Sequence, residues 1–252
     1  MKKFLWIPFA LGVSLLPVQS QDTTTTTATN SQPVHPSGPA TTIPSDSNYK
    51  AHPDFNKGCE QDVAAMKGKR CDIIFIGDSI TRGWKGKPAW TKYYANRHVL
   101  NFGVPADTTQ NVLWRMDHMD VKNFKPKVAV IMIGTNNAGD TPSDIAAGVK
   151  AVIAKTQEMY AGVKIILVSI LPNQCANQKM METNKIIKAY ADNQTIYYLD
   201  LVPLFTPVGD NWKGMGADHL HPIEEGYQIW ATAMQPLLDK LLSEDSAIHS
   251  GN

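Results

Sequence analysis

A short apolar run followed by Gly-Asp-Ser limits the possible folds of this chain more than any other feature. Residues 73–76 are continuously apolar, which is typical of a strand buried on both faces, although a buried helix segment can look the same. Gly77 permits a tight exit from such a strand. Ser79 then falls at a strand-to-helix corner, where the N–H groups and positive dipole end of the next helix would favour an attacking oxyanion. Asp78-Ser79 is also an ordinary helix start, so this stretch alone leaves a purely structural role open.

Apolar strands and amphipathic helices alternate along the rest of the chain. After a first strand at 72–76, stretches rich in apolar residues predict strands at residues 98–102, 128–133, 163–171 and 196–201. Apolar residues at helical spacing predict helices at 55–66, 108–116 and 180–191, one that opens at Pro142, and a final helix through 223–241 with a kink at Pro236. This order indicates an α/β fold in which a parallel five-stranded sheet lies between two layers of helices, a three-layer α/β/α architecture.

The N-terminus has the features of a targeting segment. Two lysines follow Met1, residues 4–18 are mostly apolar, and Val18-Gln19-Ser20 resembles a small-residue cleavage site. We therefore expect residues 1–20 to be a signal peptide and the mature protein to be secreted or periplasmic. The apolar stretch is short for a membrane span, so no stable span is expected after cleavage. A retained anchor is the alternative.

Residues 21–48 form a predicted linker, because more than half of them are Thr, Ser or Pro and few are apolar. Such a segment lacks the apolar groups that offset the entropy lost when a chain becomes ordered. A single folded domain without an internal repeat is expected at residues 49–242, followed by a polar tail at residues 243–252.

Charge and cysteine content narrow the range of partners. The formal net charge is +1, and no basic run or mixture of basic and aromatic residues suggests a nucleic-acid partner. Export would permit disulfides, and Cys59 and Cys71 are near enough in sequence to form one. Three buried thiols, including Cys175, are the simpler expectation. No CxxC motif or cluster of His and Cys predicts a metal site.

Three predicted strand ends carry residue types that suit acyl transfer. In a parallel sheet, ligands bind beyond the carboxyl ends of the strands, which here are segments 77–81, 103–109 and 134–137. Ser79, in the first segment, is the nucleophile candidate. The backbone N–H groups of Ser79 and Gly103, with the side-chain amide of Asn136, would stabilise a developing oxyanion. A turn glycine and a turn-capping asparagine are the structural alternatives for the last two.

A serine nucleophile needs a base, and the base needs a partner that orients it. Asp218 and His221 are three residues apart just before the final helix, so a single turn would place them on the same side. His221 would then accept the proton of Ser79 while Asp218 holds the other ring nitrogen. His219 lies between them as a rival base, but the Asp-x-x-His spacing favours His221.

Two further groups of residues are expected to be structural. The aromatic side chains between residues 84 and 94 should pack in the core, with a sugar-binding or acyl-binding surface as the alternative. Asp107 and Arg115 should form a structural ion pair, and a role in shaping the loop that bears Gly103 is the alternative.

These blocks, taken together and in order, resemble those of a known family. Gly77-Asp78-Ser79, Gly103, Gly134-Thr135-Asn136 and the 218–221 segment match the four motif blocks of the GDSL-type SGNH hydrolase superfamily. Segment 101–116 is similar to the platelet-activating-factor acetylhydrolase-like branch of that superfamily. The resemblance covers roughly residues 50–242, which is all of the chain except the predicted signal, linker and tail.

The resemblance implies a flavodoxin-like three-layer α/β/α fold and a role for each motif residue. Ser79 would be the nucleophile, His221 the base and Asp218 its partner. Ser79, Gly103 and Asn136 would form the oxyanion hole.

Two positions depart from the family pattern. His219 stands where glycine is common, which places a second histidine near the site. Pro105-Ala106 stands where relatives often have more glycine, which predicts a stiffer loop beside Gly103 and a narrower acyl pocket.

The sequence therefore predicts a serine esterase that forms an acyl-enzyme and needs no metal or organic cofactor. The branch resemblance suggests short acyl groups, acetyl first. The expected export and linker suggest an O-acetylated polysaccharide or glycan as the substrate. A lysophospholipase or thioesterase is the enzymatic alternative, and a non-catalytic glycan-binding module on the same fold is the alternative of a different class.

Overall fold

The computed structural model of the protein describes residues 38–250, with side chains through residue 244. Its central sheet has five parallel strands, β1 (Ile73–Gly77), β2 (Val99–Gly103), β3 (Val128–Met132), β4 (Lys164–Val168) and β5 (Ile196–Leu199). A small hairpin of β6 (Pro207–Val208) and β7 (Asn211–Trp212) precedes the last helix. The helices are α1 (Ser47–Ala51), α2 (Pro53–Met66), α3 (Ser79–Arg82), α4 (Pro88–Tyr94), α5 (Thr109–His118), α6 (Pro142–Met159), α7 (Asn177–Lys188) and α8 (Glu224–Ser250).

Strand β1 lies inside the sheet, because the strand order is β2-β1-β3-β4-β5 and β1 pairs with β2 on one side and β3 on the other. All five of its residues are buried. Successive side chains of a strand point to opposite faces, so Ile74 and Ile76 pack in one apolar cluster while Ile73 and Phe75 pack in the other. Helices cover both faces, and the predicted three-layer α/β/α fold with a five-stranded parallel sheet is confirmed.

Ordered structure is present before residue 49, the predicted start of the domain. A short 3-10 helix spans Ala40–Thr42, and Thr41 is buried. The Thr41 hydroxyl donates to the Asp144 carbonyl at 2.6 Å, and the Thr41 carbonyl accepts the Thr109 hydroxyl at 2.8 Å. Residues 38–48 therefore belong to the domain, because hydrogen bonds hold polar side chains that the composition assigned to the linker. The predicted signal peptide and the rest of the linker lie outside the described residues.

The C-terminal helix is longer than predicted. α8 passes through Pro236 and continues to Ser250, so most of the predicted polar tail is helical. No glycine or proline interrupts residues 243–250, and Lys240 pairs with Glu244 one turn later, an arrangement that supports a helix. Within residues 38–250, no helix is both long enough and apolar enough to span a bilayer.

Two of the three cysteines match the expectation of buried thiols. Cys59 and Cys71 are buried and free, and burial raises their pKa values to about 11 and about 12. The prediction is wrong for Cys175, which is free but exposed, since it lies in the loop that precedes α7.

The aromatic residues after β1 pack as core. Trp84 is fully buried, and its ring lies 5.5 Å from that of Tyr94 and 5.2 Å from that of Trp230, centre to centre. Phe75 of β1 joins the same cluster. This packing attaches α4 and α8 to one face of the sheet beneath the segment that carries Ser79.

Candidate active site

Ser79 lies just beyond the carboxyl end of the interior strand β1, as the first residue of α3. The Asp78 side chain caps this helix, because its Oδ1 accepts the N–H of Ile80 at 2.9 Å. A Cβ on Gly77 would collide with the Thr81 hydroxyl and the Met132 carbonyl, so this tight corner requires glycine. Capping and exposure of a hydroxyl therefore occur at the same corner, and the structural and chemical interpretations of this stretch are compatible.

The structure brings Ser79, His221 and Asp218 into one hydrogen-bonded chain. Ser79 Oγ lies 2.8 Å from His221 Nε2, and His221 Nδ1 lies 2.7 Å from Asp218 Oδ2. Asp218 Oδ1 also accepts the backbone N–H groups of Leu220 and His221. Both oxygens of the carboxylate are therefore used to fix the position and the ring orientation of one histidine.

Hydrogen bonding keeps Asp218 ionised. Partial burial alone would raise its pKa, but the backbone N–H and ring of His221, with the N–H of Leu220, outweigh this effect and lower the pKa to about 2. An ordinary imidazole is neutral only above about pH 6.5. Asp218 is thus a carboxylate at every pH at which a histidine partner can act as a base.

Backbone hydrogen bonds make the loop that carries Asp218 and His221 rigid. The N–H of Gly216 donates to the carbonyl of His221 at 2.8 Å, and the N–H of Ile223 donates to Gly214 at 2.9 Å. The start of α8 is tied to the nucleophile helix, because the Tyr227 hydroxyl donates to the Ile80 carbonyl at 2.8 Å. The base and the nucleophile, 142 positions apart in sequence, are therefore attached to the same small framework.

His219 takes a different position from His221. Its backbone φ is +54°, a left-handed conformation that explains why glycine suits this position. Its Nδ1 lies 3.2 Å from the Asp210 carbonyl, and its own carbonyl accepts the N–H of Gln174. Of the two histidines, only His221 is hydrogen-bonded to Ser79.

Replacing the two histidines separately tests which one is the base. We expect His221→Asn to lower kcat/KM for p-nitrophenyl acetate by about a thousandfold, because the serine proton then has no acceptor. We expect His219→Asn to change it by less than threefold, since asparagine tolerates a positive φ. Loss of activity in His219→Asn alone would assign the base role to His219. Circular dichroism of both variants controls for misfolding.

Gly103 is held against the nucleophile helix. A Cβ there would lie 2.5 Å from the backbone nitrogen of Arg82 and 2.9 Å from the Asp78 carbonyl oxygen. Glycine is therefore required for packing between β2 and α3. Its N–H donates to the Asn101 side-chain oxygen at 3.0 Å. Gly103 would have to share that hydrogen to act as an oxyanion donor.

Asn101 is a residue of the site that the sequence interpretation missed. Besides accepting the N–H of Gly103, its side-chain nitrogen donates to the Thr81 carbonyl at 2.9 Å. This one buried side chain thus connects the end of β2 to α3. The sequence does indicate this role, because Asn101 is a polar residue inside an otherwise apolar strand. Such a side chain is costly to bury unless it has hydrogen-bond partners.

Asn136 lies after β3, within the short 3-10 helix Thr135–Asn137. Its Nδ2 donates one hydrogen to the Asp107 carbonyl at 2.9 Å. A carboxamide nitrogen carries two hydrogens, so the second is free to point at a substrate oxygen. Gly134, just before it, has φ +123° and fits tightly against Ile145 and Ile170.

The predicted ion pair between Asp107 and Arg115 is present and buried. Arg115 Nε lies 2.6 Å from Asp107 Oδ2, and each side chain is 1% exposed. Arg115 also donates to the Phe102 carbonyl at 3.1 Å, and Asn48 donates to Asp107 Oδ1 at 2.6 Å. The pair therefore supports the loop whose Asp107 carbonyl orients Asn136.

Asp78 is a buried acid with an unusual environment. Its side chain is fully buried, and its Oδ2 has no hydrogen-bond partner among the residues that the structure describes. Burial raises the pKa of Asp78 to about 7, helped by the nearby Asp107 carboxylate and opposed by the N–H of Ile80 and by His221. The neutral acid is thus favoured in the folded state well above the ordinary range of an aspartate.

This raised pKa predicts a pH dependence of stability. The folded state holds a proton on Asp78 between about pH 4 and pH 7, where the unfolded chain has released it. The contribution of Asp78 to the free energy of unfolding is fully present below about pH 4 and is lost as the pH rises to about 7. Asp78→Asn keeps the helix cap without a titratable group. We expect its melting temperature to exceed that of the wild type by about 3 °C or more at pH 8, and not at pH 4. An equal difference in melting temperature between variant and wild type at both pH values would contradict a raised pKa of Asp78.

The hydrogen-bonded chain of Ser79, His221 and Asp218 and the similarity to known proteins both indicate that this protein is a carboxylic ester hydrolase. Residues 75–229 match the model of the GDSL-like lipase/acylhydrolase family, and the chain belongs to this family. It is 31% identical over 189 residues to platelet-activating factor acetylhydrolase IB subunit alpha1 of Bos taurus, an alignment that covers 73% of this chain and 82% of the relative. The resemblance drawn from the motifs is confirmed.

Solved structures show the same fold at lower sequence identity. A GDSL-like lipase from Bacteroides thetaiotaomicron has a TM-score of 0.59 and 23% identity, covering 77% of this chain and 98% of the other. A carbohydrate esterase family 3 protein from Talaromyces cellulolyticus has a TM-score of 0.56 and 17% identity, covering 69% and 99%. Across residues 38–244, no group of three His, Cys, Asp or Glu side chains is arranged to hold a metal ion.

Proposed function

We propose that the protein hydrolyses short-chain esters, acetyl esters first, through an acyl-enzyme on Ser79. The observation that carries the proposal is the hydrogen-bonded chain from Ser79 Oγ to His221 at 2.8 Å and on to Asp218 at 2.7 Å. A serine hydroxyl is a weak nucleophile until an adjacent base can take its proton, and the base acts best when a third group fixes its orientation. These three side chains meet both requirements.

The proposed reaction has two halves. Ser79 Oγ attacks the ester carbonyl carbon as its proton moves to His221 Nε2, and Asp218 stabilises the imidazolium. His221 then gives the proton to the departing alcohol oxygen, which leaves an acyl-enzyme. A water molecule attacks the acyl carbon after losing a proton to the same nitrogen, and the carboxylic acid leaves as the proton returns to Ser79.

The negative charge on the carbonyl oxygen needs donors that are already in place. The N–H of Ser79 lies in the first turn of α3, where helix N–H groups have no intrahelical acceptor. The second hydrogen of the Asn136 amide is the other donor. The N–H of Gly103 joins them by sharing its hydrogen with Asn101. Removing one such donor from an oxyanion hole typically costs about a hundredfold or more in kcat.

Support for a short acyl group comes from the loop beside the oxyanion donors. Ala106 has a left-handed backbone with φ +62°, and the Asn48 side chain donates to the Pro105 carbonyl at 2.9 Å. A loop tied down in this way is not expected to open for a long chain. The relative from Bos taurus is named an acetylhydrolase, which agrees with acetyl as the first acyl group to test.

A chain-length series tests the acyl preference. We expect kcat/KM for p-nitrophenyl esters to fall at least about tenfold from acetate to octanoate, since a pocket that excludes extra methylenes loses roughly 1 kcal/mol or more for each misfit. Asn48→Ala, which releases the Pro105 carbonyl, should narrow that difference. Rates that rise with chain length would instead support the lysophospholipase or thioesterase alternative.

For the leaving alcohol, we propose a carbohydrate hydroxyl. The expected export of the protein supports this substrate, and so does the fold shared with a protein named a carbohydrate esterase. Release of acetate from acetylated xylan or acetylated pectin, measured beside p-nitrophenyl acetate, tests the proposal. Hydrolysis of p-nitrophenyl acetate without release of acetate from any acetylated glycan would contradict the carbohydrate substrate but not the esterase activity.

A further inference from the structure

We propose that a basic groove at the edge of the sheet opposite Ser79 binds a linear acidic polysaccharide through its carboxylate groups. The groove, called here the amino-edge groove, has a volume of about 920 Å³ and lies where β1, β3 and β4 begin. Five basic residues line it: Lys69, Arg70, Lys122, Lys125 and Lys127. With a rise of about 3.3 Å per residue, the five-residue β1 separates this groove from the candidate active site by roughly 16 Å.

The groove carries an excess of positive charge. Among residues 38–244, the only acidic residue that lines it is Asp72, which is already paired with Arg70 at 2.8 Å and with His98 at 3.0 Å. Lys69, Lys122 and Lys125 are exposed and have no carboxylate partner within residues 38–244. A concave surface lined by one sign of charge concentrates oppositely charged ligands.

The fold assembles this groove from three separate segments. The turn before β1, the turn before β3 and the turn before β4 each contribute lining residues. Backbone hydrogen bonds join them, since the N–H of Lys127 donates to Asp72 at 2.8 Å and the N–H of Lys164 donates to Lys127 at 2.9 Å. The basic residues are therefore held on a fixed surface, although the sequence contains no basic run.

The shape and lining of the groove favour an acidic polysaccharide over two other polyanions. Its aromatic residues Phe124 and Tyr160 are buried, at 7% and 4% exposed, and offer no free ring faces for stacking nucleic-acid bases. Binding to a membrane surface strengthens with the apolar area that enters the bilayer, in addition to the attraction of basic groups to anionic lipids. None of the large exposed apolar residues between 38 and 244 lies in this groove. A chain of uronate units needs only the concave basic surface.

Binding at this edge would leave the candidate active site open. A polymer held in the amino-edge groove would keep the protein at the acidic glycan, while ester groups reach Ser79 at the other edge of the sheet. The proposed binding needs no catalysis, so its test is independent of the esterase proposal.

The experiment measures the dissociation constant of the full chain for polygalacturonate, with neutral dextran as the control polymer. We expect binding in 50 mM salt that weakens strongly in 500 mM salt. Lys122→Gln/Lys125→Gln should weaken it about tenfold or more. Lys185→Gln/Lys188→Gln removes the same charge at the same spacing from exposed positions on α7, and should stay within twofold of the wild type. Neither variant should change the hydrolysis of p-nitrophenyl acetate.

Several results would overturn the proposal. Equal weakening by the two double variants would attribute binding to net charge alone. No binding to polygalacturonate, or equal binding to dextran, would also exclude it. The same holds if the groove variant loses affinity for phosphatidylglycerol vesicles or for DNA but not for polygalacturonate, because the groove would then serve another class of partner.

Discussion

Replacing Ser79 with alanine is expected to lower kcat/KM for p-nitrophenyl acetate by about a thousandfold or more, to near the rate of the buffer. The reason is that Ser79 Oγ is the atom that would form the covalent bond, and no other hydroxyl among the described residues is hydrogen-bonded to His221. The measurement is the initial rate of p-nitrophenol release at pH 7 to 8.

A matched variant separates chemistry from structure in this test. Thr81→Val removes a buried hydroxyl from the same short helix, and that hydroxyl has no hydrogen-bond partner within residues 38–244. We expect Thr81→Val to keep at least about half of the activity. Equal rates for Ser79→Ala and wild type would exclude the serine mechanism, and equal rates at the level of the buffer would favour a binding module on this fold.

Much of the fold could be predicted, because a stretch of neighbouring apolar residues is enough to predict each strand. Each of the five strands lies in a mainly apolar stretch. The observed bounds differ from the predicted ones by at most one residue, except at the end of β5, where they differ by two, and at the end of β4, where they differ by three. Residues 38–48 could not be assigned in this way. Thr41 is buried through hydrogen bonds to residues as far as 103 positions away, and no periodicity in the sequence records such a partner.

In the candidate site too, some residues could be predicted from the sequence near them, whereas other contacts depend on the folded structure. Ser79, Asp218 and His221 are signalled by spacing and by their position at element ends, and the structure places all three in contact. The hydrogen bond from Gly103 to Asn101 depends on side-chain geometry that spacing does not determine. The amino-edge groove was also missed, because its lysines are dispersed in sequence and meet only when the strands align.

The largest expected effect on stability comes from the ion pair beneath the site. Arg115→Met keeps a long apolar side chain but removes the guanidinium. Among the described residues, the buried Asp107 carboxylate then has only Asn48 as a side-chain partner. Removing one partner of a buried pair typically costs about 3–5 kcal/mol, because the remaining charge is uncompensated. We expect a loss of that size in the free energy of unfolding measured with urea.

Two controls show whether burial of charge is the cause of this loss. Lys50→Met breaks the exposed pair with Asp46, whose side chains are 74% and 36% exposed, and should cost less than about 1 kcal/mol. Asp107→Asn added to Arg115→Met removes the unpaired charge and should recover part of the loss. If the double variant is no more stable than Arg115→Met, then lost packing, not buried charge, sets the cost. The Asp107 carbonyl orients Asn136. If the ion pair supports this oxyanion donor, the double variant should therefore also have a higher esterase activity than Arg115→Met.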